Sequence, residues 1–162
     1  MLENKNLTKF INQQFSKSQS AVIIEKISLY KEMLLDENER INLISKTTAD
    51  DIEDRHFLDS IQLITLIGDK AHSLVDIGTG AGLPGILLAI GGCKSVYLVE
   101  KQTKKCDFLN RVNNKLGLDM NILNLRIEDI EDRQFDYVVS RAFAKLNKII
   151  SITKNITHKK SK

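Results

Sequence analysis

The sequence has no tryptophan, one proline and two cysteines among its 162 residues. The two cysteines, Cys93 and Cys106, are too few for a disulfide framework, and they lack the spacing of metal ligands. We therefore expect free thiols, as in a reducing compartment. The three histidines are scattered along the chain and give no metal-binding pattern either. The sequence thus predicts no bound metal.

Long hydrophobic runs are also missing from the sequence. No apolar stretch approaches the ~20 residues that a membrane-spanning helix needs, and the polar N-terminus has no signal-peptide core. The apolar fraction of 42% and the charged fraction of 28% are those of a soluble globular protein, and the length fits one domain. We expect a cytoplasmic monomer with no membrane partner.

Positive charge is concentrated near the C-terminal end. The formal net charge is +3, and residues 154–162 hold four lysines and no acidic residue. The rest of the chain carries 20 basic and 21 acidic residues. Two interpretations of this basic tail remain open: a frayed and solvated terminus, or an electrostatic contact with RNA.

Hydrophobic periodicity divides the chain into three parts. Residues 1–72 have the pattern of an N-terminal helical region, and we expect it to pack on the same domain as the rest. Residues 73–153 alternate between strands and helices, which is typical of a parallel sheet covered on both faces. Residues 154–162 are the basic tail. The predicted fold class is therefore α/β.

Local signals place individual elements within these parts. One amphipathic helix is predicted at 20–36 and another at 50–67, the second opened by a capping pair of Asp50 and Glu53. The later elements are strands at 74–77, 96–99, 122–125 and 137–139, with helices at 86–90 and 103–116 between them and a further helix at 145–153.

The most informative segment joins the first of these strands to a helix. It reads LVDIGTGAGLPG over residues 74–85, and its glycines are Gly78, Gly80, Gly82 and Gly85. Glycine allows positive φ and close backbone approach, and amides that open the next helix would point at a ligand. A turn without a ligand, a nicotinamide-dinucleotide loop and an S-adenosylmethionine loop all fit. Asp76 favours the last, because a carboxylate there suits a cationic ammonium better than a pyrophosphate.

Polar residues follow the later strands. Glu100 lies 22 positions after Gly78, close to the ~20-residue separation at which an acidic side chain accepts hydrogen bonds from ribose. Residues 127–129 follow the third strand, where backbone groups could pair with an adenine edge. Arg141 follows the fourth strand and could position a carboxylate or phosphate. The alternatives are a solvated acid, an ordinary turn and a surface charge, respectively.

Four segments together identify a family resemblance. Residues 76–85, 41–44, 55–60 and 140–144 read DIGTGAGLPG, INLI, RHFLDS and SRAFA. In their order along the chain these segments resemble the RsmG (GidB) family of 16S rRNA guanine-N7 methyltransferases, with similarity from about residue 30 to about residue 146. The resemblance implies a Rossmann-like class I methyltransferase sheet, S-adenosyl-L-methionine as the cofactor, and 16S rRNA or the 30S subunit as the partner.

The resemblance also implies which residues bind the cofactor. The positions that carry over are Gly78, Leu83, Ile127, Glu128 and Arg141. Gly80 and Gly82 are added from the glycine loop, and Glu100 stands where the family usually has an acidic residue. No residue is assigned as acid, base or nucleophile, because guanine N7 has a lone pair and no proton to remove. His56 is interpreted as a structural or RNA-facing side chain.

One departure from the family concerns the end of the sheet. Family members continue into further strands after Val139, whereas this chain has only the predicted helix and the basic tail. We therefore expect a C-terminally incomplete sheet with an open edge, which is an aggregation liability. Two alternative functions follow: a truncated relative that binds S-adenosylmethionine or RNA without turnover, and a dinucleotide-dependent oxidoreductase suggested by G-x-G-x-x-G alone.

Overall fold

The structure, a computed structural model, describes residues 2–49, 51–70 and 72–162. The α-helices are α1 (Lys5–Gln14), α2 (Lys17–Asn38), α3 (Lys46–Ala49), α4 (Asp59–Ile61), α5 (Gly85–Ile90), α6 (Thr103–Leu116) and α7 (Leu146–Thr153). The strands are β1 (Ser73–Ile77), β2 (Ser95–Val99), β3 (Asn121–Leu123) and β4 (Tyr137–Val139). Over these described ranges, no helix is both long enough and apolar enough to span a bilayer.

Side-chain caps define the start of the first two helices. The amide of Leu7 donates to Asn4 Oδ1 at 2.9 Å at the start of α1, and Ser16 and Gln19 form a capping box at the start of α2. The buried face of α2 has members at helical spacing: Ile23, Ile27, Tyr30 and Leu34. The predicted helix at 20–36 is confirmed within this longer helix.

The segment before β1 is not the single helix expected at 50–67. It consists of a π-helical turn at Glu53–Leu58, α4, and a 3₁₀ turn at Gln62–Leu66. Asp50, the expected cap, lies outside the described residues. The carbonyl of Arg55 in the π turn accepts a hydrogen bond from Arg141 at 3.3 Å. This contact ties the wide turn to the loop after β4.

The sheet is parallel, and its strand order is β3-β2-β1-β4. Asp76 of β1 pairs with Leu98 of β2 and with Val139 of β4, so the carboxyl ends of these strands lie at one edge. The four predicted strands and the α/β fold class are confirmed, although β3 ends at Leu123 rather than at residue 125. Strands β2 and β3 lie on one side of β1, and β4 lies on the other, so the strand order reverses between β1 and β4. Ligands of open parallel sheets bind at the carboxyl edge near such a point.

Helices cover both faces of this sheet, as the alternating pattern predicts. Leu74 of β1 joins the larger apolar cluster, formed with α2, α5 and α6. Its neighbours Val75 and Ile77 point to the opposite face and join a smaller cluster that includes Phe135 and Ile156. Ile149 and Ile152 of α7 pack against this second cluster. The sheet is therefore the middle layer of the domain.

The basic tail is neither frayed nor fully solvated. The amide of Phe135 donates to the carbonyl of Ile156 at 2.9 Å, and Ile156 is 1% exposed. The amide of Lys162 donates to the carbonyl of Asp136 at 2.8 Å, and the amide of Val138 donates to the carbonyl of Lys162 at 2.9 Å. The frayed end that one interpretation of residues 154–162 predicts is therefore not found, although the four lysines of this segment are exposed to solvent. The edge of β4 that we expected to be open is partly paired.

Candidate functional site

The residues after β1 form a tight loop at the carboxyl edge of the sheet. Gly78, Gly80 and Gly82 have φ values of +65°, +59° and +99°. A Cβ on Gly82 would lie 2.2 Å from Ile86 Cδ1 and 2.9 Å from Leu109 Cδ2. Only glycine therefore lets the loop pack this closely against α5 and α6.

Six amides of this loop donate to acceptors inside the protein. The acceptors are the Val99 carbonyl for Gly78 and Thr79 (2.9 and 3.1 Å), the Thr79 carbonyl for Gly82 and Leu83 (2.9 and 3.3 Å), and the carboxylates of Glu100 and Asp76 for Gly80 and Gly85 (3.2 and 2.9 Å). A loop that binds pyrophosphate presents open amides to the anion. This loop is instead held by its own hydrogen bonds, and two acidic side chains lie beside it.

Asp76 lies beneath the loop and is fully buried. Its Oδ2 accepts a hydrogen bond from the Thr79 hydroxyl at 2.6 Å and another from the Gly85 amide at 2.9 Å. Burial raises the pKa of Asp76 to about 7, although these two hydrogen bonds and Arg141 oppose the shift. The first amide of α5 therefore donates to Asp76. We expected this amide to face a ligand, and it does not. The carboxylate shapes the loop from behind, where we had expected it to meet a cationic ammonium.

A cavity of about 410 Å³ opens in front of the loop, within the ~300–1,000 Å³ range of small-molecule sites. Its walls come from the loops that follow all four strands, together with part of α7. Four of the predicted site residues line it: Gly78, Glu100, Ile127 and Glu128. Gly80, Gly82 and Leu83 belong to the same glycine loop but do not form the wall, and Leu83 is only 3% exposed.

Glu100 combines burial with access to this cavity. The residue is 7% exposed, and its carboxylate accepts hydrogen bonds from the amides of Gly80 at 3.2 Å and Gln102 at 2.9 Å. The two bonds use different oxygens, and each oxygen keeps a further lone pair. The side chain can therefore accept hydrogen bonds from hydroxyl groups in the cavity while it holds two loops together.

Ile127 and Glu128 lie in a short 3₁₀ turn, Ile127–Asp129, after β3. Ile127 is 5% exposed and contributes apolar wall, and Leu125 lines the cavity beside it. Glu128 is exposed at the rim. This side of the cavity thus offers an apolar surface bordered by backbone groups of the turn, a combination that suits a flat heterocycle.

Arg141 does not line the cavity. Its Nη1 donates to the Arg55 carbonyl at 3.3 Å and lies 3.9 Å from Asp59 Oδ2. His56, in the same π turn, has both ring nitrogens buried, with no hydrogen-bond partner among the described residues. Burial, followed by the charge of Arg141, lowers the pKa of His56. The structure therefore links the 55–60 and 140–144 motifs, and it holds the ring nitrogens of His56 away from solvent.

Several residues of the site were not singled out from the sequence. The Tyr30 hydroxyl donates to the Ala81 carbonyl at 2.8 Å. Phe143 lies over Gly78, where a Cβ would be 2.1 Å from its Cδ2, and 39% of the residue is exposed. The further polar residues that line the cavity are Lys101, Gln102, Arg126 and Lys148. For Phe143 the sequence offered one signal of a role in the site, because this residue falls inside the 140–144 motif.

Among the described residues, this site has neither a cluster of metal-binding side chains nor a reactive thiol. Over the described ranges, no three His, Cys, Asp or Glu side chains come together as a metal site needs. Cys93 and Cys106 are buried and unbridged. Burial raises the pKa of each thiol to about 11, so both stay protonated near neutral pH.

Sequence comparison supports the family resemblance. A family model described as rRNA small subunit methyltransferase G (GidB) matches residues 23–162. The ribosomal RNA small subunit methyltransferase G of Rickettsia bellii is 42% identical over 135 residues, which cover 83% of this chain and 70% of that protein. The enzyme of the same name from Rickettsia rickettsii matches with the same identity and coverage.

Comparison with solved structures supports the fold. The ribosomal protein L11 methylase of Lactobacillus delbrueckii matches with a TM-score of 0.54 at 20% identity, over 64% of this chain and 55% of that one. The Trypanosoma brucei PRMT1 enzyme-prozyme complex with AdoHcy matches with a TM-score of 0.58 at 17% identity, over 78% of this chain and 41% of that one. At such low identity these matches show a shared class I methyltransferase architecture and nothing finer.

Proposed function

The chain belongs to the GidB family, rRNA small subunit methyltransferase G, and on this premise we propose that it transfers the methyl group of S-adenosylmethionine to N7 of a guanine in 16S rRNA. The observation that carries this proposal is the convergence of Gly78, Glu100 and Ile127 on one cavity. The cavity lies at the carboxyl edge of a parallel sheet, where nucleotide-containing ligands bind.

The chemistry of the cavity fits the nucleoside part of that cofactor. Glu100 offers carboxylate oxygens that can accept hydrogen bonds from ribose hydroxyls, and Ile127 and Leu125 offer apolar surface to a flat base. We propose that Gly78 lets the backbone approach the ligand closely and that Glu128 and the turn after β3 border the base. Gly80, Gly82 and Leu83 would act by setting the shape of the loop.

The electrostatics of the loop favour S-adenosylmethionine over a dinucleotide. Six of the loop amides already have protein acceptors, and the carboxylate of Glu100 lies beside them in the wall of the cavity. A pyrophosphate would meet negative charge and few open donors, whereas a cationic ligand would be attracted. We therefore set aside the oxidoreductase interpretation that rested on the spacing of glycines.

The reaction asks little acid–base chemistry of the protein. When bound, S-adenosylmethionine supplies an electrophilic methyl group on its sulfonium. Guanine N7 carries an in-plane lone pair and no proton, so no side chain has to remove one. The protein contributes alignment. Binding removes the translational freedom of the two reactants before the methyl transfer, so the barrier of the chemical step no longer includes that entropy cost. We propose that Arg141, held by the Arg55 carbonyl and Asp59, positions a group of the cofactor or RNA near the end of β4.

The rim of the cavity suits an RNA partner. Lys101, Arg126 and Lys148 are exposed there, and within the described ranges no ion pair engages any of the three. Phosphate groups of RNA attract such side chains, and these contacts position a nucleic acid without reading its sequence. We propose that 16S rRNA, within the 30S subunit, approaches over this rim. On this view the chain acts in the cytoplasm, and we propose that it does so as a monomer.

A methyl-transfer assay tests the proposal. The chain is incubated with tritiated S-adenosylmethionine and 30S subunits that lack the N7 methyl group, and 16S rRNA is then digested and its nucleosides are separated. We expect label in 7-methylguanosine, and none when the subunits already carry the methyl group. Binding of S-adenosylhomocysteine without transfer would favour a module that binds without turnover. Binding of NAD but not of S-adenosylhomocysteine would exclude both interpretations.

A further inference from the structure

A hydrogen bond connects the N-terminal helices to the glycine loop. Tyr30 lies on the buried face of α2, and its hydroxyl donates to the carbonyl of Ala81 at 2.8 Å, across 51 positions of sequence. Tyr30 is 0% exposed and Ala81 is 4% exposed, so water does not compete for this bond. Burial raises the pKa of Tyr30, which keeps the hydroxyl protonated and able to donate.

The bond reaches the middle of the loop, between the Gly80 amide, which donates to Glu100, and the Gly82 amide, which donates to the Thr79 carbonyl. The start of the loop is held by the Val99 carbonyl, and its end is held by Asp76 through the amide of Gly85. Ala81 lies between these points and is flanked by Gly80 and Gly82 at φ values of +59° and +99°. Glycine-flanked backbone has wide conformational freedom, so the bond from Tyr30 restrains the Ala81 carbonyl in addition to the bonds made by the flanking amides.

The ring of Tyr30 is itself held in place. It packs against Phe57 of the π turn with ring centroids 5.4 Å apart. The Tyr30 hydroxyl is therefore presented to the Ala81 carbonyl at a defined point.

We propose that Tyr30 is a positioning residue that sets the conformation of the glycine loop for cofactor binding. The proposal rests on the function proposed above, since it takes S-adenosylmethionine as the ligand of the loop. It assigns the helices of residues 1–72 a part in the cofactor site, in addition to their place in the core. Tyr30 acts through Ala81 and need not touch the ligand.

Tyr30→Phe is the direct test, because it keeps the ring packing on Phe57 and removes only the donor. A matched control is Tyr137→Phe, since the hydroxyl of Tyr137 accepts from the amide of Gly68 at 3.2 Å and that bond lies outside the site. The full chain and both variants are compared by calorimetry with S-adenosylhomocysteine, by hydrogen exchange of residues 78–85, and by methyl-transfer kinetics.

We expect Tyr30→Phe to bind S-adenosylhomocysteine roughly three- to tenfold more weakly, the effect of one lost neutral hydrogen bond. The amides of Gly82 and Leu83 should exchange faster, and the KM for S-adenosylmethionine should rise with kcat little changed. Tyr137→Phe should keep wild-type affinity and wild-type exchange in the loop.

Two results would overturn the proposal: unchanged loop exchange in Tyr30→Phe, or equal effects in Tyr137→Phe, which would indicate general destabilisation. If the wild-type chain fails to bind S-adenosylhomocysteine, the proposed function is wrong. The exchange measurement still decides in that case whether Tyr30 fixes the loop.

Discussion

The amide of Gly80 donates a hydrogen bond to the carboxylate of Glu100 at 3.2 Å, which joins the loop after β1 to the end of β2. A second bond, from the amide of Gln102 at 2.9 Å, holds the other carboxylate oxygen. One side chain therefore shapes two of the four loops around the cavity. Its removal should alter both the loop and the ligand contacts.

Glu100→Ala should weaken S-adenosylhomocysteine binding by about 10- to 100-fold, because hydrogen bonds to a charged group contribute about 1.5–3 kcal/mol. Glu100→Gln keeps the size and one acceptor, so its loss should be smaller. Calorimetry provides the measurement, with Glu25→Gln on the exposed side of α2 as the matched control. Wild-type affinity in Glu100→Ala would contradict a ribose contact at this position.

Gly82→Ala should lower the free energy of unfolding by about 3 kcal/mol, because the new Cβ meets Ile86 and Leu109 and the backbone has positive φ. Gly117→Ala is the matched control, since Gly117 also has positive φ but no atom within 4 Å of the added Cβ. It should cost only about 1 kcal/mol. Urea denaturation measures both values, and equal costs would rule out a packing role for Gly82.

Asp76→Asn should change how stability depends on pH. The pKa of Asp76 is about 7 in the folded chain against a reference of 3.8, so the folded state holds a proton that the unfolded state has released. The stabilisation by this proton is complete below about pH 3.8 and is lost as the pH rises through about 7. Asp76→Asn should therefore gain stability relative to the wild type as the pH is raised over this interval.

Urea titrations at several pH values measure this difference for Asp76. Asp107→Asn, at an exposed position of α6, serves as the surface control. If the difference between Asp76→Asn and the wild type is the same at every pH, Asp76 does not titrate with a raised pKa.

Removing two cations from the rim should weaken RNA binding in a salt-dependent way. The double variant Lys101→Ala and Lys148→Ala should bind a 16S rRNA fragment more weakly. The negative slope of log K against log salt should become shallower by about 2 if each side chain contacts one phosphate. The control removes Lys5 and Lys9 from α1. An equal change of slope in both double variants would indicate that the rim contributes no more to RNA binding than other basic surface.

Much of the fold follows from local pattern. Helix α6 was predicted at 103–116 and is found there, because apolar residues recur at helical spacing and Gly117, at a φ of +57°, ends the helix. The segment before β1 was not predicted correctly. Phe57, Ile61 and Ile64 stay on the buried side in the mixed π, α and 3₁₀ geometry, so hydrophobic spacing alone could not distinguish it from one regular helix.

The sequence predicted residues of the candidate site that follow the carboxyl end of a strand. Glu100 and Ile127 were found in this way, because parallel strands bring their carboxyl ends together. The bond from Tyr30 to Ala81 was not, because it depends on how a distant helix packs. The fixed backbone of the tail was not predictable for a similar reason, since its four exposed lysines suggest a frayed end, whereas Ile156 and backbone bonds hold it against β4.

The internal hydrogen bonds of the glycine loop have a consequence for the energetics of binding. A loop whose amides already have acceptors does not have to order itself around the ligand, so little of the binding energy is lost to conformational entropy. The ligand meets a preorganised surface, and its affinity should depend mainly on the contacts made at Glu100 and the turn at Ile127.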